Sequence, residues 1–173
     1  MKTLVALFVI ACSSHLALAE TATEKAEAYY QRGLAAEKAG DPATAIAAYK
    51  AALELNTGHV NARYRVGEVK INAAGIKSNA VEAKIGAILI PAYQIEGVTI
   101  QEAIELLALA IEKQSKDEIS PNFVIEDPDK KLADAKVTMN LKGVPVSAIL
   151  KYIQTQTNTK LRYDEHAVVI LAR

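Results

Sequence analysis

The sequence predicts an α+β fold in two parts: a helical hairpin plus one helix, then a β-α-β-β-α-β-β unit. Three observations carry this. Between Thr21 and Lys70 the apolar residues recur at helical spacing, with capping signals between the runs. From Ile85 onward, runs of alternating polarity take turns with helical runs. Within that second part, IEGVTIQEAIELL from Ile95 repeats as LKGVPVSAILKYI from Leu141, an offset of 46 residues.

The first residues read differently from the rest. Lys2 precedes an apolar run from Leu4 to Cys12, and Ala17-Leu18-Ala19 gives an A-x-A cleavage signal before Glu20. Residues 1–19 are expected to be a secretory signal peptide, too short to span a bilayer as a lasting helix. Val9-Ile10-Ala11-Cys12 offers an alternative, a lipobox whose Cys12 is lipidated. With cleavage after Ala19 the remaining chain holds no cysteine, so its stability rests on packing and not on disulfides.

Residues 20–72 form the helical part. Thr21 and Glu24 have capping-box spacing, and an Ala-, Glu- and Lys-rich helix follows until Gly40. Asp41-Pro42 opens the second helix, with Asp as N-cap and Pro at the first helical position. Ile46, Tyr49 and Leu53 lie along one face before Asn56-Thr57-Gly58 closes it. A third helix is expected over about Val60 to Asn72. Residues 73–84 read as a linker: Gly75 and Lys77-Ser78-Asn79 suggest a loop, with a short helical piece after Ser78.

Residues 85–173 form the second part. GAILIPAYQIEG reads as a strand from Ile85, with Pro91 favouring an edge. Thr99 and Glu102 cap a helix whose Ile100, Ile104, Leu107 and Ile111 share a face. Phe123-Val124-Ile125 is a short strand and Asp127-Pro128-Asp129 a turn. Val137, Met139 and Leu141 alternate with polar residues as in a half-buried strand. Pro145 starts a helix with Val146, Ile149, Leu150 and Ile153 on one face. Leu161 and Tyr163 alternate with Lys160 and Arg162. Ala167 to Leu171 is nearly continuously apolar, as in a strand buried on both faces. Gly97-Val98 and Gly143-Val144 recur between strand and helix, where glycine supplies the tight turn.

Two family resemblances follow from these residues. Tyr30-x-x-Gly33 recurs as Tyr64-x-x-Gly67 after 34 residues; with Tyr29, Gly40-Asp41, Ala45, Tyr49, Ala52 and Leu53, this resembles the tetratricopeptide repeat, over about residues 24–72. The resemblance implies a protein-binding groove lined by Tyr30, Leu34, Asn61 and Tyr64. Tyr30 and Leu34 stand where a carboxylate clamp would place Lys and Asn, so a peptide C-terminus is not the implied ligand. The phrase VTMNLKGVPVSAILKYIQTQTNTKLRYDEHAVVIL, within residues 85–173, resembles the short N-terminal domain of secretins and TonB-dependent transducers. That resemblance implies two helices packed between small sheets, and protein contacts in the periplasm or an outer-membrane complex. The sequence adds no ring-forming repeat or barrel, so an accessory is implied and not the pore.

The remaining composition narrows the function. Twenty basic and 20 acidic residues balance, which leaves no electrostatic footprint for nucleic acid. Aromatic residues make up 5% and Trp is absent, against a stacking platform. His15, His59 and His166 have no ligand spacing, and the last two are expected in solvent-exposed turns. Asp127, Asp129 and Asp134 lack the Gly and Glu of a calcium loop. Ser147 has no G-x-S-x-G context. No cofactor, metal or catalytic role is expected; an enzyme of unrecognised type is the remaining alternative. The sequence points to an exported, non-catalytic interaction or scaffold protein whose sheet edges can take a partner strand.

Overall fold

A computed structural model describes residues 21–173. The leader sequence, its lipobox alternative at Cys12 and His15 lie outside the described residues. The fold is α+β, and its elements follow the order four helices, then β-α-β-β-α-β-β.

The helical part begins with α1 (Ala22–Lys38), α2 (Pro42–Leu55) and α3 (Val60–Ile71). The Thr21 hydroxyl accepts from the Glu24 backbone N–H at 3.2 Å, and Glu24 returns the bond to the Thr21 N–H at 2.7 Å. The bond from the Thr21 N–H, with one donated by the Thr21 hydroxyl at 3.0 Å, holds the Glu24 carboxyl below its ordinary value. Asp41 caps α2 through the Thr44 N–H at 2.9 Å. Small residues then bring the hairpin together. A Cβ on Gly33 would lie 2.2 Å from the Tyr49 ring, so the ring occupies the space a side chain would need. Ala45, Tyr49, Ala52, Ala62, Val69 and Ile76 form this core.

Residues Ala73–Gly86 are one continuous helix, α4. The loop expected at 73–84 is thus corrected, and Ile85 and Gly86 end this helix instead of starting a strand. The reason lies in how its apolar residues are distributed. At helical spacing Ile76 sits on one side, and Val81 and Ile85 on nearly the opposite side. Ile76 enters the helical core, whereas Ile85 and Val81 pack into the second core. A helix serving two cores shows no single apolar stripe. Gly40, in the turn after α1, leaves room for α4: a Cβ there would lie 2.6 Å from that of Ala80.

In the second part, β1 (Leu89–Thr99) pairs antiparallel with β3 (Lys136–Pro145) as a two-stranded ribbon. No third strand flanks Pro91, so its missing N–H breaks no ladder there. The central pair is Gln94 with Asn140, joined by a 3.0 Å side-chain bond. These residues are 46 apart, the same offset as the internal repeat. Moving Tyr93 forward by that offset gives Met139, and moving Leu141 back by it gives Ile95, so the Tyr93–Leu141 pair exchanges with Ile95–Met139. The two repeats are therefore related by an approximate two-fold axis through Gln94 and Asn140. Gly97 and Gly143 take left-handed φ of 60° and 61°. Gly97 lies where the register slips between Ile95 and Val98, and Thr138 Oγ1 accepts its N–H at 2.9 Å.

Helices α5 (Ile100–Ser115) and α6 (Val146–Thr157) follow the two ribbon strands. Thr99 and Glu102 complete the capping box expected for α5, while Pro145 caps α6 without a side-chain bond. The remaining strands make a second sheet in the order β2 (Phe123–Glu126), β5 (Val168–Ala172), β4 (Thr159–Tyr163). β2 runs parallel to β5 and β4 antiparallel, so β2 and β4 oppose one another as the two-fold requires. Central β5 buries Val168, Val169 and Ile170, matching its continuous apolar run.

Candidate functional site: the open groove of the helical repeat

α1 and α3 lie side by side, and their facing side chains form a groove of about 400 Å³ lined by Tyr30, Asn61, Tyr64, Arg65 and Glu68. Three of the four residues expected from the sequence meet there. Leu34 does not: it is partly buried against the helical core. Tyr30, one turn earlier on the same face, packs against that core as well but also reaches the groove.

The floor of the groove is an aromatic and charged network. Tyr30 packs at 5.6 Å from the Tyr49 ring and 4.9 Å from His59, measured between ring centres. The Tyr49 hydroxyl donates to Glu37, which Arg65 also approaches at 3.4 Å. Burial first, and then that bond to Glu37, push the Tyr49 hydroxyl well above its ordinary range. Burial works most strongly against the Arg65 charge, but Glu37, Tyr30 and Tyr49 together outweigh it and hold the guanidinium above its usual value. The site thus presents a fixed cation beside exposed Tyr64.

His59 corrects the sequence reading. Its side chain is only 11% exposed. Nδ1 accepts the Ala62 N–H at 3.2 Å, which makes His59 the N-cap of α3, and Nε2 lies 3.3 Å from Glu27. A histidine can replace the usual Ser, Thr, Asp or Asn here because its ring acceptor reaches the same backbone donor. His166, by contrast, is exposed in the β4–β5 turn as expected.

Arg65, Glu68 and Glu37 are absent from the expected set. Arg65 adjoins Tyr64, but only the α1–α3 packing shows that it faces Glu37. Elsewhere, a wider cleft of about 600 Å³ lies between the end of α1, α4 and the β4–β5 turn. Its Lys77 and Glu165 are already paired at 2.7 Å, and that pairing holds the Glu165 carboxyl below its ordinary value. Asp127 accepts the backbone N–H groups of Lys131 and Leu132, a turn-closing role. Among the described residues, no group of three or more His, Cys, Asp or Glu is placed to hold a metal. No helix among them is long and apolar enough to cross a membrane.

Residues 26–58 match the family model of the tetratricopeptide repeat. That match covers α1 from Ala26 onward, α2 and the turn after them, including Tyr30 and Leu34; Asn61 and Tyr64 follow it. No curated protein and no solved structure matches the chain.

Proposed function

We propose that this protein is a non-catalytic protein–protein interaction module of the bacterial cell envelope. Tetratricopeptide repeats mediate protein contacts, and the match over residues 26–58 supports protein partners. The observation that carries the reading is the groove of Tyr30, Asn61, Tyr64, Arg65 and Glu68, which opens beside the matched repeat. Its aromatic face suits an extended or helical segment with apolar residues, and Arg65 and Glu68 give it polar groups of both signs to orient that segment. Export rests on the apolar leader at residues 1–19.

A second reading makes the protein an accessory of a secretin-based secretion or pilus assembly machine. What favours it is the β-α-β-β-α-β-β order together with the strand and helix phrase at Val137–Leu171. The free edges of β2 and β4 would then take a partner strand.

Crosslinking with mass spectrometry in intact cells tests both readings. A specific envelope partner, crosslinked at α1 and α3 and weakened by Tyr64→Ala, is the expected result. Crosslinks to a secretin at β2 or β4 would favour the second reading. Recovery of no specific partner would overturn both.

A further inference from the structure

The 34-residue period does more than identify a repeat: it compares two faces residue by residue. On α1, Ala26, Tyr30, Gly33 and Glu37 form the side covered by α2. Ala26 is fully buried, Gly33 takes the Tyr49 ring, and Glu37 accepts the Tyr49 hydroxyl. Thirty-four residues later stand Val60, Tyr64, Gly67 and Ile71. Here the same side is bare. Val60 is 73% exposed, Tyr64 64% and Ile71 87%, and a Cβ on Gly67 would meet nothing within 4 Å. α3 is therefore apolar on both sides, one against α2 and one toward solvent.

The element that would cover this side does not. α4 leaves α3 after the single residue Asn72 and packs across the α1–α2 turn and into the second core. It also lacks the ring for Gly67, since the residue 34 beyond Tyr49 is Ala83. Nor does an antiparallel second copy fit. Arg63 and Lys70 lie on one flank of the stripe, and an antiparallel pair of α3 helices would set these cations against themselves.

We propose that the outer side of α3 is a docking site for an amphipathic helix of a different protein. That helix lays a phenylalanine on Gly67, among the exposed Val60, Tyr64 and Ile71. The choice of ring follows from one difference between the two faces. Glu37 receives the Tyr49 hydroxyl in the filled socket, but its counterpart Ile71 has no acceptor to offer. A tyrosine there would bury its hydroxyl against a hydrocarbon, and phenylalanine would not. This inference rests on the reading of the chain as an interaction module and names a second surface of it.

The test uses the helix already known to fit such a face. A peptide of residues 42–55, held helical by a lactam between the exposed Lys50 and Glu54 and carrying Tyr49→Phe, is titrated against the full chain by fluorescence anisotropy. It should bind about tenfold more tightly than the same peptide with Tyr49 retained. Gly67→Leu, which fills the socket without meeting a neighbour, should abolish binding; Ile71→Glu should reverse the preference toward the tyrosine peptide. Binding of neither peptide, or binding indifferent to Gly67→Leu, overturns the proposal. So does a dimer in sedimentation that Gly67→Leu dissolves, because the occupant would then be a second copy. A cellular crosslinked partner that is lost with Asn61→Ala but kept with Gly67→Leu overturns this site and leaves the groove standing.

Discussion

The chain contains two internal repeats, and they end differently. The 34-residue recurrence runs one way along the chain, like a translation: α3 follows the α1–α2 pair, and no second pair of that kind is completed. The 46-residue repeat is a two-fold rotation: β1 and β3 pair with each other about Gln94 and Asn140, and each completes its counterpart. A translation leaves its last face uncovered, and a two-fold closes on itself. Hence Gly33 is filled and Gly67 is bare, whereas Gly97 and Gly143 share one conformation. Open symmetry leaves a face for partners, and closed symmetry pairs its two halves with each other.

The largest expected effect tests the closed half. Leu150 is almost completely buried on α6, and Leu150→Ala should cost about 2–5 kcal/mol in chemical denaturation. A cost under about 0.5 kcal/mol, the size of a surface change, would mean that α6 does not pack as described. Next comes the open half. Gly33→Ala drives a methyl into the Tyr49 ring and should destabilise by about 1–3 kcal/mol. Gly67→Ala meets nothing and should stabilise α3 by about 0.5–1 kcal/mol. Equal effects at these two glycines would erase the distinction between filled and bare faces.

The two-fold makes a finer demand. Gly97→Ala and Gly143→Ala should each cost about 1–2 kcal/mol, because both hold left-handed backbone with open space around the missing Cβ. Unequal costs would show that the bulge at Gly97, which Gly143 lacks, breaks the equivalence. The smallest effect concerns pH. Burial raises the Tyr93 hydroxyl, which donates to the Ala103 carbonyl, and burial with Glu37 raises that of Tyr49, both from an ordinary value of 10.0. The folded chain keeps these protons where the unfolded chain releases them. Stability present below pH 10 should therefore be lost as pH rises through the folded values. Phenolate absorbance should rise in two stages, with Tyr49 and Tyr93 in the later one. Their ionisation together with the exposed tyrosines would contradict the burial.

Much of this was legible in the residues because it is local. Thr21 with Glu24, Asp41, and Thr99 with Glu102 announce helix starts through bonds spanning three positions. The alternation at Val137–Leu141 announces a strand, and both repeat lengths are visible in the letters. The misreadings share a cause: each needs a partner distant in sequence. α4 looked like a loop because Ile76 and Ile85 answer to different cores. His59 looked exposed because Tyr30, which covers it, is on another helix. Arg65 gains its role only from Glu37, 28 residues away. Sheet order is likewise set by non-local pairing, so nothing near Val168 says that β2 and β4 will flank it.

The dual allegiance of α4 bears on how the molecule can be divided. A cut before Ala73 removes Ile76 from the helical core, and a cut after Gly86 removes Ile85 from the other. Either fragment would expose an apolar socket that the intact chain fills from within. The two halves are thus dowelled together, and heating should melt them in one transition where a loose tether would have allowed two.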